Sequence, residues 1–376
     1  MSATKEWAIA SATTPMRILQ GQALALFAFD IGYEVALEKI GALLPSAPVS
    51  PISRKKQTPT FLQYARPPRV VSLGESAPLR GQRGHVQATI FDFGAVSIAY
   101  KWALPAAEES FPLDDLPALG QQLYTSDLEA DARRRVQSLV KAIEPAIVRP
   151  EISTLIEDYY LFIIERLDEK LSAEELLRGS KQALAQTLRL ENRPLSAEQQ
   201  EEALGQRISY YETDLVLIDW NAAIVYDQDY EDTASVLELL NVELLEARYI
   251  DAQLDTRIQE YADLAQRHYE FPIPLRTPYR KAIQDLTELR VESALLVERA
   301  GNSLKLIGDL YLARVHSAAA RRFYLNEWES VTSRKLDIID GFYNVLNDRL
   351  RTAQNQTLEI AVIVLILVEL LLALRR

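Results

Sequence analysis

The pattern of hydrophobic and polar positions changes character twice along this chain. Up to about residue 230, short apolar runs alternate with amphipathic stretches and with breaks that contain glycine or proline. From Thr233 onward an apolar residue recurs every three or four positions, which is the spacing of a helix buried along one face. The last stretch, Leu358 to Leu374, is apolar almost throughout. The sequence therefore predicts an α+β protein in which two similar mixed α/β units are followed by long antiparallel helices and a C-terminal transmembrane helix.

The predicted domain boundaries follow these changes of pattern. They are an N-terminal tail at 1–16, a first α/β unit at 17–145, a second α/β unit at 146–231, a long-helix, coiled-coil-like region at 232–356 and a membrane anchor at 357–376.

Four elements are predicted in the first α/β unit. They are a strand at Ala23–Phe29, a helix at Tyr33–Leu44, a hairpin at Thr89–Trp102 broken at Gly94–Ala95, and a helix at Asp127–Ile143 with Ser126 as its N-cap. Proline-rich segments predict a loop at 45–59 and a linker at 105–117. The segment 80–84 predicts a turn between strands, because no Gly-Lys-Ser/Thr sequence follows it, as a phosphate-binding loop requires.

The second α/β unit repeats this plan. A strand at Asp158–Leu167 precedes a helix at Ser172–Leu190, and Leu215–Asp227 has the pattern of a hairpin. The helix opens with a capping box formed by Ser172 and Glu175. The sequence therefore predicts a strand, a helix and a hairpin in the same order as before.

The two hairpins also align residue by residue. Asp92 matches Asp219 and Phe93 matches Trp220, with glycine and asparagine at the equivalent turn position. Glycine and asparagine are the residues that most readily adopt a positive φ. We expect both aromatic side chains to point into a core and both aspartates to point away from it, because successive residues of a strand face opposite sides. A chance similarity between two short hairpins is the alternative.

The helical part begins with one long amphipathic run at Thr233–Tyr269, which the prolines of 271–274 should end. A final helix is predicted from about Arg322, and it can continue without a break into the apolar tail. Its apolar face includes Trp328, Ile339, Phe342 and Leu346. This face is predicted to support self-association, with a core inside one protomer as the alternative.

The apolar tail carries the clearest signal. Thirteen of the seventeen residues of 358–374 are Leu, Ile or Val, and as a helix they span about 26 Å. Their insertion into a bilayer is worth on the order of −5 kcal/mol. Glu359 can stay at the interface, whereas Glu369 lies deeper and costs roughly +2.5 to +3.5 kcal/mol. We therefore predict a membrane anchor in which Glu369 faces other helices, so that both glutamates contribute to anchoring and oligomerisation. A buried helix in a soluble oligomer is the alternative.

Charge and cysteine content narrow the function classes. The net charge is −12 with a pI near 5.0, so the overall field disfavours DNA as a partner. Cysteine is absent from the sequence, which excludes disulfides, thiolate metal sites and cysteine catalysis. The first twenty residues do not have the pattern of a secretory signal. We expect the N-terminal domains on the cytoplasmic side of a bacterial-type cytoplasmic membrane, or at the mitochondrial inner membrane if the source is eukaryotic.

Three segments give the chain a family resemblance. They are the hairpin residues 91–96, the helix segment 181–190 and the ending from Arg334 to Leu374. Together they resemble the required-for-meiotic-nuclear-division (YagE-type) proteins, a domain-of-unknown-function family. The resemblance implies a membrane-bound homo-oligomer that supports translation, with a ribosome or RNA-associated partner, and it transfers no catalytic residue.

The sequence gives only weak signals for catalytic or metal-binding residues. His85, His268 and His316 are far apart and have no HxxxH spacing or cysteine partner, so no metal or catalytic site is predicted from them. The acids of 227–232, together with Glu238, partly imitate a calcium-binding EF-hand loop, but aspartate replaces the required glycine. An acidic turn that precedes a helix is the preferred interpretation.

Two basic clusters could bind lipid headgroups or RNA. One is Arg133, Arg134 and Arg135, and the other is 54–56. Solvated surface is the preferred interpretation of both. The prediction as a whole is a non-enzymatic, membrane-anchored, homo-oligomeric scaffold or adaptor without cofactors. The alternative is an enzyme or a nucleotide- or RNA-binding module in the α/β region, with a site between the two units.

Overall fold

The computed structural model describes residues 16–44, 49–51, 67–106, 109–266, 279–302 and 310–375. The chain divides into two compact units. The first unit comprises 1–242 and 307–323, and the second comprises 243–306 and 324–376. The predicted N-terminal tail (except Met16), the basic cluster 54–56, the helix stop at 271–274 and His268 lie outside the described residues.

The first unit contains every described strand. The strands are β1 (Arg17–Asp30), β2 (Glu34–Val35), β3 (Val49–Pro51), β4 (Arg69–Leu79), β5 (Gln82–Ile90), β6 (Ala95–Leu104), β7 (Phe111–Pro112), β8 (Ile147–Val148), β9 (Glu157–Leu167), β10 (Arg207–Ile208), β11 (Leu215–Ile218) and β12 (Ala222–Tyr226). The described helices are α1 (Leu37–Leu43), α2 (Leu116–Tyr124), α3 (Leu128–Ile143), α4 (Ala173–Arg189), α5 (Ala197–Ala203), α6 (Glu231–Gln266), α7 (Tyr279–Asn302), α8 (Leu310–Arg322) and α9 (Leu325–Leu374).

Within the described residues, one large mixed sheet organises the first unit. Its strand order is β10-β11-β12-β9-β1-β6-β5-β4-β3, with β7 paired to the end of β1. The two central strands, β1 and β9, are antiparallel to each other. All neighbouring strands in this order are antiparallel except β9 and β12, which are parallel. A short separate ladder joins β2 to β8.

Both faces of the central strands are buried, which explains why their sequences do not alternate cleanly between apolar and polar residues. On β1, Phe27 and Phe29 belong to the main core, and so does Phe162 on β9. Leu24 and Leu26 are buried on the opposite face of β1. The central strands therefore require apolar residues at consecutive positions.

Two turns of the first unit contain residues with a positive φ. Arg80 and Gly81 form the two-residue turn between β4 and β5, both with positive φ, as the predicted turn requires. Gly94 ends the turn that precedes β6 with φ +95°, and a Cβ atom there would lie 1.7 Å from the carbonyl oxygen of Gly32. Glycine is thus required at position 94 by both conformation and space.

The α+β class with long antiparallel helices is confirmed, and so are most of the predicted elements. The predicted strands at Ala23–Phe29 and Asp158–Leu167 lie within β1 and β9. The capping box at the start of α4 is present, with Ser172 accepting from the backbone N–H of Glu175. The final helix runs without a break from Leu325 into the apolar tail.

Other predicted boundaries are wrong. The N-cap of α3 is Asp127 rather than Ser126, and α1 starts at Leu37, because the residues before it pair as β2. The predicted linker at 105–117 contains β7 and the start of α2, whose proline at the first turn suits a helix start.

The predicted equivalence of the two hairpins is also wrong. Trp220 is 55% exposed and Phe93 only half-buried, whereas Asp219 is fully buried. The β6 strand runs antiparallel to β1, whereas β12 runs parallel to β9. The two regions share the order of their elements, but the side chains of their hairpins face different surroundings.

The second unit is helical in its described residues. Parts of α6, α7 and α9 pack around an apolar core that includes Leu254, Leu286, Ile339 and Leu346. Beyond this core, the residues of α9 from Leu358 to Leu374 are exposed on every side. Among the described residues, α9 is one helix that is long and apolar enough to cross a membrane.

Candidate functional site

The first unit contains a polar cavity on one face of its sheet. The cavity has a volume of about 280 Å³ and lies between the central strands and the first turns of α6. We call it the sheet–α6 cavity. Its lining residues are Gln22, Leu24, Leu26, Val70, Gln87, Thr89, Ala99, Lys101, Leu161, Tyr230, Glu231, Ala234, Ser235 and Glu238.

One base and one acid dominate the chemistry of the sheet–α6 cavity. Lys101 lies on β6, in register with Leu24 of β1, and Glu238 projects from α6. Burial lowers the pKa of Lys101, and the charges of Glu238 and Glu231 oppose this shift. Burial raises the pKa of Glu238, and the charge of Lys101 opposes that shift. The two groups influence each other through the cavity, but they form no direct ion pair within the described residues.

Hydroxyl groups lie beside the acid. Ser97 and Thr89, on β6 and β5, are close enough to Glu238 to lower its pKa. However, the hydroxyl oxygens of both residues and the Oε1 atom of Glu238 are buried without a hydrogen-bond partner of ordinary geometry among the described residues. Thr89 is 2% exposed and lines the cavity. Glu238 and the two hydroxyl groups therefore lie close together, but their hydrogen bonds have poor geometry.

Amide and phenol groups form another side of the cavity. The Gln22 side chain donates to the Tyr230 hydroxyl at 2.5 Å. It also lies 3.5 Å from a carboxylate oxygen of Glu165. Gln22 belongs to β1 and Tyr230 immediately precedes α6, so this bond joins the start of the helix to the sheet.

A buried ion cluster lies elsewhere in the first unit. Asp219, in the turn between β11 and β12, is fully buried and pairs with Arg189 of α4 at 2.8 Å and with Arg322 of α8. Its backbone carbonyl accepts from the Tyr159 hydroxyl at 2.9 Å. Burial raises the pKa of Asp219, and Arg322, the Trp220 N–H and Arg189 oppose the rise. The cluster joins α4 and α8 to the hairpin and has the geometry of a structural site.

The three predicted basic contact residues lie on α3, and each forms hydrogen bonds or ion pairs with the rest of the first unit. Arg135 pairs with Asp131 at 2.6 Å and donates to the carbonyl oxygens of Leu73 and Glu75. Arg133 donates to the carbonyl oxygen of Thr154. Arg134 is exposed and pairs with Asp131 at 3.2 Å. A role for this cluster in binding RNA or lipid stays a prediction.

The predicted anchoring and assembly residues are divided between two environments. Glu359 and Glu369 lie on the exposed part of α9. Ile339 and Leu346 are buried in the helical core of the second unit, and Phe342 packs against it. Trp328 is half-buried in the first turn of α9. In a single chain the stripe of Ile339 and Leu346 is core, and its part in assembly stays a prediction.

No group of three acids or histidines able to hold a metal ion is present among the described residues. Asp227 and Asp229 form an acidic turn before α6, in which Asp227 accepts from the backbone N–H of Asp229. His316 is buried on α8, and His85 is exposed on β5.

Sequence reasoning missed the sheet–α6 cavity. The available signals were a lysine within an otherwise apolar strand, at Lys101, and a glutamate within an apolar helical stretch, at Glu238. Each signal also suits an exposed residue at an element's edge. Only the pairing of strands brings the two positions to the same cavity.

Comparisons with known proteins identify relatives of the first unit. The family model described as the N-terminal domain of the uncharacterized protein MJ0711 matches residues 20–233. The uncharacterized protein MJ0711 of Methanocaldococcus jannaschii is 25% identical over 223 residues, which cover 59% of this chain and 67% of that protein. No solved structure matches the chain. The family match ends near the start of α6 and thus covers the sheet.

The resemblance to the required-for-meiotic-nuclear-division (YagE-type) family is therefore wrong, because the matching family model is a different one. That resemblance used an apolar tail, a helix segment and a hairpin, and these patterns recur in unrelated proteins that contain the same elements. The role in translation that it implied thereby loses its support and stays untested.

Proposed function

Since this chain belongs to the family of the N-terminal domain of the uncharacterized protein MJ0711, whose description names no activity, we propose a function from the geometry of the chain. The protein is a membrane-anchored, homo-oligomeric scaffold or adaptor. Its C-terminal helix is the anchor, and its α/β unit presents a binding surface on the cytoplasmic side.

One observation carries this proposal. Every described apolar side chain from Leu358 to Leu374 is exposed, although thirteen of these seventeen residues are Leu, Ile or Val. Soluble monomers rarely expose contiguous apolar patches of more than a few hundred Å². A helical backbone satisfies its own hydrogen bonds and is therefore suited to hydrocarbon. A lipid bilayer is the environment that matches such a segment.

Removing the tail tests the anchor. Full-length protein should sediment with membranes and resist extraction by salt, whereas a variant lacking 357–376 should be soluble. A variant with residues 357–376 in shuffled order is the matched control, and it should remain in membranes because composition decides insertion. Full-length protein that is soluble and monomeric without detergent would contradict the proposal. Protease protection of the tagged protein in sealed membrane vesicles would report which side of the membrane the α/β unit occupies.

Glu369 provides the test of assembly. A hydrogen-bonded glutamate between membrane helices is worth on the order of 1 kcal/mol per bond. Glu369→Leu should insert more readily and associate more weakly, measured as molecular mass in detergent. Glu359→Leu is the matched control, since this residue lies at the interface end of the run. An unchanged mass for Glu369→Leu would remove this residue from the assembly.

A further inference from the structure

The sheet–α6 cavity contains a base and an acid that do not contact each other. The side chain of Lys101 forms no hydrogen bond or ion pair within the described residues, and the buried Oε1 atom of Glu238 has no hydrogen bond of ordinary geometry there. Charged groups are rarely removed from water without a partner, because their desolvation is costly. A molecule in the cavity that offers each of them an opposite charge would satisfy both.

We propose that the sheet–α6 cavity binds a small zwitterion of the size of an amino acid, with its ammonium group at Glu238 and its carboxylate at Lys101. Membrane anchoring does not require such a site, so this inference goes beyond the proposed scaffold function. It gives the α/β unit a ligand that an adaptor could sense.

Charge excludes simpler ligands. Lys101 is the single cationic residue of the cavity lining, against Glu231 and Glu238. An anion such as phosphate would pair with Lys101 but would lie near two carboxylates, whereas an amine alone would leave Lys101 without a partner. The cavity also does not gather the three acids or histidines that a metal ion needs, as far as the described residues extend. A zwitterion is the class that matches both signs.

Size and polarity define the rest of the ligand. A volume of about 280 Å³ has room for about nine waters at about 30 Å³ each, and thus for a small organic molecule. Leu24, Leu26 and Leu161 supply an apolar wall, whereas Thr89 supplies a buried hydroxyl beside Glu238. The apolar wall favours an amino acid with an aliphatic side chain, such as leucine, over glutamate or lysine.

The experiment compares three molecules of nearly the same shape. Leucine carries both charged groups, isoamylamine lacks the carboxylate, and isocaproate lacks the amine. The probes are titrated into full-length protein in detergent, with calorimetry and the shift in Tm as readouts; valine, methionine, glutamate and lysine complete the panel. Leucine or another aliphatic amino acid should bind and raise the Tm, and the two single-charge analogues should bind at least about tenfold more weakly.

Variants assign the binding to the cavity. Lys101→Met and Glu238→Gln should each weaken binding at least about tenfold, because each leaves one charge of the ligand without a partner. Lys141→Met and Glu198→Gln remove exposed charges on α3 and α5, and they should bind as wild type does. Ala234→Leu should block binding by filling the cavity while both charges remain, which keeps the test valid if a charge variant does not fold.

Several results would overturn this inference. They are an unchanged Tm and no heat of binding with every amino acid of the panel, equal affinity for leucine and either single-charge analogue, and wild-type affinity in the folded variants at 101, 238 or 234. Any of these results would mean that Lys101 and Glu238 do not bind a zwitterion in the sheet–α6 cavity. Membrane partition is measured independently, so failure here leaves the proposed anchor untouched.

Discussion

The two units of this protein use apolar residues in opposite ways. In the first unit, large apolar side chains such as Phe162 and Leu26 are buried on both faces of the central strands. In the second unit, a narrow core around Leu254 and Leu346 holds the helices, and the apolar residues beyond Leu358 face outward. The first pattern is typical of a domain folded in water, and the second is the pattern expected of the proposed membrane anchor. Hydrophobicity alone does not separate the two groups of apolar residues, whereas their exposure does.

Two charged sites, one in each unit, differ in the same way. Asp219 in the first unit is fully buried between two arginines, and burial also raises the pKa of Asp30 to about 7. In the second unit, Arg290 and Asp340 form an ion pair at 3.2 Å with side chains 61% and 39% exposed. Water screens pairs of the second kind, and it screens buried charges much less. The Asp219 cluster should therefore contribute more to stability than the Arg290–Asp340 pair does.

The largest difference should come from removing an apolar side chain. Phe162→Ala should destabilise the first unit by about 3–5 kcal/mol, because Phe162 is fully buried in the main core and contacts around it would be lost. Leu371→Ala is the control, since this residue of the tail is 64% exposed, and it should change unfolding by less than about 0.5 kcal/mol. Denaturant unfolding of detergent-solubilised protein measures both. Equal effects would show that Leu371 is packed inside the protein.

The next effect concerns pH. Burial raises the pKa of Asp30 to about 7 and Glu151 adds to the rise, while a hydrogen bond from the backbone of Gly32 opposes it. Between about pH 4 and pH 7 the folded state therefore keeps a proton that the unfolded state releases. Stability should fall as pH rises through this window, by up to about 1.4 kcal/mol for each pH unit.

Asp30→Asn removes this ionisation while preserving the shape of the side chain. The variant should be more stable than wild type at pH 7, by on the order of 2–4 kcal/mol, and its stability should vary less between pH 4 and pH 7. Asp348→Asn, an exposed acid of the second unit, should leave the profile unchanged. The assignment would be contradicted if the stability of wild-type protein and that of Asp30→Asn changed equally between pH 4 and pH 7.

Short sequence patterns predicted many of the helices and strands. Pairing between residues far apart in the sequence determined the remaining features of the fold. The strand β9 and the capping box of α4 are visible in the sequence because their signals lie within a few residues. The strand β4 was not predicted, since Gly74 and Pro78 interrupt its apolar run and its pairing with β5 is irregular. The predicted linker at 105–117 includes the first two residues of α2, because Pro105, Pro112 and Pro117 give that segment the composition of a linker.

The candidate site was harder to predict than the fold. Lys101 and Glu238 meet at one cavity only because β6 pairs beside β1 and α6 covers that face. The buried position of Asp219 likewise depends on Arg189 and Arg322, which come from two distant helices. A hairpin motif read alone places an aspartate at a turn in solvent, since isolated acids are rarely buried. Tertiary partners reverse that expectation.

The smallest effects should come from single ion pairs, and they compare the two units most directly. Asp219→Ala should cost the first unit about 2–3 kcal/mol, because it leaves the guanidinium groups of Arg189 and Arg322 together, each with a side chain less than one fifth exposed. Arg290→Met should cost the second unit at most about 1 kcal/mol, since both partners of its pair reach solvent. Denaturant unfolding of both variants at low and high salt measures the costs. Salt should reduce the effect of Arg290→Met and leave most of the effect of Asp219→Ala, because burial shields that cluster from ions. If both variants lost the same stability and responded equally to salt, solvent would have to reach Asp219. The two sites would then not differ in how strongly water and salt screen their charges.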